Sequence, residues 1–257
     1  MTFAIDLTGR RALVTGGGQG VGRGIAHAMA AAGAEVVVND FVSERARAVV
    51  DELIAAGAHA TAAPFDVSDH DAVRDAVGDA AVDILVNNAG NAGPEGFTFA
   101  PFPESDPAEW NRYFQVNLFG VMNCTHAVLP GMIERGWGRV VTIVSDAGRW
   151  GEPRMAAYSA AKAGAAGFTR SIARDVGRHG ITVNNVALGT IDATGDMETA
   201  LASEEGERFS RMLRGYIIRR FGRPDDIAAM VTFLASPLAE WITGQTYPVN
   251  GGYTVNQ

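Results

Sequence analysis

The stretch R-A-L-V-T-G-G-G-Q-G-V-G, residues 11–22, leaves the chain little choice of local structure. Arg11 to Thr15 reads as a short buried strand, and it runs without a linker into a glycine turn and then the helical stretch Arg23 to Ala32. A strand, a glycine turn and a helix start together make an anion site. Glycines let a ligand approach the backbone, and the first helical turn offers unpaired N–H groups at the positive end of its dipole. Gly16, Gly20 and Gly22 stand at i, i+4 and i+6, so the turn is a variant of the G-x-G-x-x-G dinucleotide fingerprint. A glycine-rich turn with no ligand remains the alternative at this point.

The rest of the chain repeats the strand–helix unit. Gly33 ends the first helix, and Glu35 to Asn39 is a second strand with Asp40 at its carboxyl end. A carboxylate there suits the two hydroxyls of an adenosine ribose, but it would also cap the next helix, as Ser43 could. Ala60 to Phe65 is a third strand ending at Asp66-Val67, and Ser68 with Asp71 reads as a capping box. Asp83 to Val86 opens onto Asn87-Asn88-Ala89-Gly90, and the Pro- and Gly-containing residues 91–106 read as a loop over the crevice. A long helix from Pro107 past Ala127 contains Asn117, with Pro130 expected to kink or end it. Gly138 to Val144 is a fifth strand ending at Ser145, Ala156 to Arg178 a helix, and Ile181 to Ala187 a sixth strand. The pattern weakens over 189–221, which reads as a substrate lid, before a helix from Pro224 to Leu234 and a last strand from Thr243 to Asn250. This alternation, with no internal repeat, predicts an α/β fold. The expectation is a single doubly wound Rossmann-type domain over 1–257, a parallel sheet of about seven strands with helices on both faces. Ligands of such sheets bind outside the carboxyl ends of the strands, where the order reverses.

Tyr158 and Lys162, four residues apart in an Ala-rich helix, project from one face as near neighbours. A free phenol, with pKa ~10, is a poor base at neutral pH, and a nearby cation is expected to lower that value. The formal charge of −8, with 21 Lys and Arg against 29 acids, argues against nucleic acid or an anionic membrane surface as a partner. One cysteine, Cys124, and a start without a basic, apolar leader fit a reducing cytoplasm. The five histidines are scattered, which gives no local metal-binding spacing.

With these pieces in order, the whole chain resembles the short-chain dehydrogenase/reductase family. The matching motifs are T-G-G-G-Q-G-V-G at 15–22, D-V at 66–67, N-N-A-G at 87–90, Asn117, Ser145, Y-S-A-A-K at 158–162, N-N-V-A-L-G at 184–189 and I-T-G-Q-T-Y-P-V-N-G-G at 242–252. The resemblance implies a nicotinamide-dependent oxidoreductase acting on a secondary alcohol or ketone. In it Tyr158 is the general acid or base, Ser145 holds the substrate oxygen, Lys162 lowers the tyrosine pKa and binds the nicotinamide ribose, and Asn117 keeps a water in a proton relay. It implies cofactor contacts at Gly16, Gly18, Gln19, Gly20, Val21, Gly22, Asp40, Asp66, Val67, Asn88, Ala89, Gly90, Tyr158, Lys162, Ile191 and Thr194, and a homotetramer. Phe114, Leu118, Val121, Met122, Phe168 and Ile172 are the apolar candidates for its interfaces. Three positions depart from the family pattern, the first two being Leu188, which stands for a proline, and Ala193, which stands where a threonine is usual, with Thr194 next. Asn250 replaces an aspartate. NAD is expected over NADP, because Asp40 would repel a 2′-phosphate and Gln19 and Phe41 offer no cation; Arg45 is expected on the outer face of the next helix. The competing readings are a non-catalytic dinucleotide-binding sensor or scaffold, for which a tuned phenol has no use, and an NADP-dependent 3-oxoacyl-thioester reductase.

Overall fold

Alternation along the strands divides the core into two layers. Ala12, Val14, Val36, Val38, Ile84, Val86, Val141 and Ile143 pack on one side of the sheet, and Leu13, Val37, Leu85, Val140 and Val183 on the other. The structure is a computed structural model that describes residues 4–77, 80–90, 98–201 and 206–255, apart from the side chains of 198, 200 and 208. Its strands are β1 (Arg11–Val14), β2 (Glu35–Val38), β3 (Ala60–Ala62), β4 (Ile84–Asn87), β5 (Gly138–Ser145), β6 (Ile181–Leu188) and β7 (Thr246–Val249). They form one parallel sheet in the order β3-β2-β1-β4-β5-β6-β7. The helices are α1 (Gly20–Ala31), α2 (Ser43–Ala55), α3 (His70–Val77), α4 (Pro107–Phe114), α5 (Gly120–Arg135), α6 (Ala156–Val176), α7 (Asp196–Ala200), α8 (Gly206–Leu213) and α9 (Pro224–Ala235).

Ile25, Met29, Val49, Leu53, Ile227 and Val231 bring α1, α2 and α9 onto the first face. Val73, Val128, Met132 and Val176 bring α3, α5 and α6 onto the second. Each such side chain, fully buried, contributes about 1.5–3 kcal/mol. The order reverses between β1 and β4, so a crevice opens at their carboxyl ends, as expected of a doubly wound sheet.

Several local expectations are corrected. The first helix starts at Gly20, not Arg23, because the glycine turn is itself its first turn. Ser43 opens α2 without capping it; the position before, Val42, is the cap. Asp69, not Ser68, caps α3, accepting from the Asp71 and Ala72 N–H groups at 3.0 Å, while the Ser68 hydroxyl donates to Asp66. β3 and β7 are shorter than expected. Pro130 lies inside α5, which ends only at Gly136 with φ +66°. Gln115–Phe119 is a π-helical turn joining α4 to α5. The resulting helical stretch, Pro107–Arg135, is long and apolar enough to cross a membrane by composition alone. Here Val121, Cys124, Thr125, Val128 and Met132 are buried within the fold. Val121, expected at an interface, is therefore core. In the 189–221 region α7 and α8 form, Ile191 bridges to Gly222, and Tyr216 and Phe221 are buried.

Candidate active site

The ends of β1 and β4 are laced together where the sheet order reverses. The Thr15 hydroxyl donates to Val86 O and accepts from the Asn88 and Ala89 N–H groups, and the Asn88 side chain donates to Thr15 O and Gly16 O. Gly16 and Gly20 take φ of +61° and +54°, where a side chain would be strained. A Cβ on Gly22 would come within 2.1 Å of Gly16 O, so the i and i+6 glycines are required by each other. The start of α1 has no side-chain cap and no acid in its first turn, which leaves N–H donors for an anion. These features fit a dinucleotide pyrophosphate.

Asp40 is 6% exposed and braces the turn: Oδ2 accepts from the Gly18 N–H at 3.2 Å and Oδ1 from the Val42 N–H at 2.9 Å. Arg45 is not on the outer face of α2. A Cβ at Gly18 would be 2.6 Å from both Arg45 Cβ and Asp40 Oδ2, so the Arg45 side chain starts beside the carboxylate. Asp66 accepts from the Ser68 N–H and hydroxyl, and buried Val67 packs where Gly120 has no side chain.

Lys162, Asn117 and Gly90 converge on the other side of the crevice. A Cβ on Gly90 would fall 2.8 Å from Lys162 Nζ and 2.9 Å from Asn117 Oδ1. Lys162 is buried and donates to Ile143 O at 2.9 Å. Asn117 sits in the π-turn, fully buried, donating from Nδ2 to Tyr113 O at 3.0 Å. Ser145, the last residue of β5, accepts the Ala147 N–H at 3.1 Å, and its hydroxyl hydrogen-bonds Tyr158. The Tyr158 ring meets Tyr113 edge-on at 6.1 Å and lies 5.9 Å from Lys162 Nζ.

Burial pushes the Tyr158 phenol up to about 12, against the smaller lowering by the Ser145 bond. Burial pulls the Lys162 ammonium down to about 8. The expected depression of the phenol by its lysine neighbour is not seen in this structure, where burial sets the direction of both shifts.

The sequence reading missed Tyr113, although it lies four residues before Asn117 on the same helical stretch. It also missed a buried latch beside Ser145, in which Asn250 Nδ2 donates to Asp146 at 2.6 Å and Arg149 to the other Asp146 oxygen at 2.7 Å. Nothing in one sequence pairs positions 146 and 250. Thr194 is exposed and donates to Asp196, while Ala193 lies 3.5 Å from a Cβ position on Gly20. Ala193, Asp192 and the turn 18–20 line a cavity of about 630 Å³ that does not reach Tyr158. A second cavity does, lined by Phe102, Trp110, Tyr113, Arg154, Met155 and Tyr158 among others. The expected loop over the crevice lies outside the described residues at 91–97; from 98 to 106 it carries a short 3-10 turn, Phe102–Glu104.

Residues 10–206 match the family model described as short chain dehydrogenase. The chain is 37% identical over 254 residues to the 7alpha-hydroxysteroid dehydrogenase of Escherichia coli (strain K12), covering 96% of this chain and 95% of that protein. It is 40% identical over 253 residues to the 3-oxoacyl-[acyl-carrier-protein] reductase of Synechocystis sp., covering 96% and 97%. It superposes on a gluconate 5-dehydrogenase from Burkholderia cenocepacia, in complex with NADP and tartrate, with a TM-score of 0.88 at 34% identity over 98% of each chain.

Proposed function

The chain belongs to the short-chain dehydrogenase family, and on that premise we propose that it interconverts a secondary alcohol and a ketone with NAD, Tyr158 acting as general acid and base at the substrate oxygen. What supports this most directly is the Ser145–Tyr158 hydroxyl pair at the end of β5, with Lys162 buried one helical turn beyond. When bound, the nicotinamide supplies the carbon that takes or gives the hydride.

The backbone of Gly16, Gly18, Gln19, Gly20, Val21 and Gly22 would receive the pyrophosphate, and Asp40 the adenosine ribose. Asp66, Val67, Asn88, Ala89, Gly90, Ile191 and Thr194 would line the remainder. In reduction the Tyr158 hydroxyl gives its proton to the substrate oxygen, and burial keeps that hydroxyl protonated at neutral pH. In oxidation the phenolate must take the proton, so the oxidation rate rises with pH. Ser145 holds the substrate oxygen, and Asn117 holds a water of the proton relay. The substrate is a cyclic or acyl-CoA-linked hydroxy compound, its carbon skeleton received by Phe102, Trp110, Tyr113 and Met155 beside Tyr158.

A second reading, an NADP-dependent 3-oxoacyl-thioester reductase, is favoured by the position of Arg45 and by the NADP-bound relative. The proposal takes 1–257 as one domain with 189–221 as its lid, assembled as a cytoplasmic homotetramer that binds neither nucleic acid nor membrane.

The test is Tyr158→Phe, which keeps the ring and removes the proton. We expect kcat to fall ~10²–10⁴-fold, with NAD binding, read by quenching of tryptophan fluorescence, retained. A variant with more than about a tenth of wild-type kcat removes Tyr158 from the reaction.

A further inference from the structure

Among the described residues Arg154 alone, glycines aside, has a positive φ, at +67°. That region crowds a Cβ, and glycine is its natural occupant. Arg154 lies four residues before Tyr158 and lines the cavity that Tyr158 reaches. Its guanidinium has no ion-pair or hydrogen-bond partner among the described residues. Partners would have been close in sequence. Glu152, two residues away, is taken by Trp150 Nε1 at 3.2 Å and by the Tyr253 hydroxyl at 3.3 Å. Glu109, a carboxylate on the same cavity, accepts from Thr98 Oγ1 at 2.8 Å and lies 3.9 Å from Arg112.

Arg154, exposed to solvent, is therefore the charge on this cavity that water and not a carboxylate of the described residues offsets. The surrounding field does not supply a substitute, since the chain carries a net −8 and an anion would otherwise be repelled. The first turn of α6, which follows at once, has no capping side chain and no acid, so its dipole adds in the same sense. Strain at a non-glycine residue persists where the residue is needed for something, and here the side chain contributes nothing visible to the fold.

From this, and resting on the reading of Tyr158 given above, we infer that Arg154 anchors the substrate, and that the substrate is a hydroxy or oxo compound carrying a free carboxylate, which decides against the acyl-CoA-linked alternative. The planar guanidinium offers two parallel N–H donors to the two oxygens of such a group. The reacting carbon then lies toward Tyr158, with Trp110 and Tyr113 beside the carbon chain; the cavity they line, about 20 Å³ in this structure, must widen to take it.

The experiment compares kcat/KM for short-chain 3-hydroxy acids, their methyl esters and hydroxyalkyl phosphates, in wild type, Arg154→Lys and Arg154→Gly. Wild type should prefer each acid over its ester by about tenfold or more, mainly through KM, and added salt should shrink the ratio. Arg154→Lys should keep part of the preference, and Arg154→Gly should bring the ratio near one, with a Tm equal to or above that of wild type because the strain is relieved. An acid preference that survives Arg154→Gly, or esters used as well as acids by wild type, overturns the inference. An Arg154-dependent preference confined to the phosphates overturns the carboxylate assignment. Failure to turn over any alcohol, with cofactor still bound, removes the reading of Tyr158 and this inference with it.

Discussion

At the scale of single residues, two positions carry opposing demands. Lys162 is buried with its ammonium pulled from 10.5 to about 8, a shift that corresponds to about 3 kcal/mol of destabilisation when it is charged. Because the folded value is depressed, that cost is complete below about pH 8 and fades as pH rises toward 10.5. Lys162→Met should therefore raise Tm at pH 7, lose turnover, and converge on wild-type Tm near pH 10; equal Tm values at pH 7 would mean the lysine carries no burial cost. Asp40 governs the choice of cofactor. Its hydrogen bonds to a ribose would be worth about 1.5–3 kcal/mol, but Arg45 begins next to it and a guanidinium reaching the site would soften the repulsion of a 2′-phosphate. We expect NAD to be favoured by about tenfold or more in kcat/KM, Asp40→Ser to shrink that ratio, and equal use of both cofactors by wild type to show that Asp40 serves only the turn. The spacing of Tyr158 and Lys162 was legible in the sequence because i and i+4 share a helix face. The direction of their pKa shifts was not, since it follows from how much of the fold closes over them.

Elements were legible where periodicity defines them and illegible where a single side chain sets an end. The βαβ alternation shows in the apolar pattern, whereas the start of α3 depends on whether Ser68 or Asp69 turns toward the open N–H groups, and Asp66 settles that by holding the Ser68 hydroxyl. Among the described residues the two π-turns, Gln115–Phe119 and Ala147–Gly151, have no sequence signature, yet one carries Asn117 and the other follows Ser145. The second is tied to the end of β7 by Asn250, Asp146 and Arg149, with Thr254 accepting from both Arg149 and Asn250. Relative to the family pattern, an aspartate at 250 has become an amide, and that amide faces the carboxylate of Asp146. Asn250→Asp would set two buried carboxylates about 2.6 Å apart, which cannot both ionise. One must then titrate at a raised pKa, so the variant should be near wild-type stability at low pH and lose about 3–5 kcal/mol as pH rises through that value. Asp146→Asn together with Asn250→Asp should restore most of the loss. Thermal unfolding between pH 5 and 9 reads this out, and a pH-independent Tm difference would show that the pair is packing alone.

For the whole molecule, strand order follows from right-handed crossovers and short connections, which a sequence with seven strand signals already constrains. What the chain leaves uncovered does not follow, because exposure is decided by how helices pack on the sheet. Val121 turned inward, while Phe119 and Met122 on the same helical stretch remain 44% and 37% exposed. On the opposite face, beyond α9, Leu238 is 42% and Trp241 97% exposed. These are among the exposed large apolar side chains, and the proposed tetramer would use them as two different isologous interfaces at right angles, as D2 symmetry requires. Covering a fully exposed large side chain contributes about 1.5–3 kcal/mol and occurs twice per interface, with proportionately less from the part-buried Phe119, Met122 and Leu238. Light scattering should thus return a particle near four times the 27.0 kDa chain. Trp241→Glu should break one interface and leave a dimer, and Phe119→Glu with Met122→Glu should break the other and leave a different dimer. A wild-type monomer at micromolar concentration, or a tetramer indifferent to all three charges, would mean that these faces meet water and that the assembly, if any, uses neither.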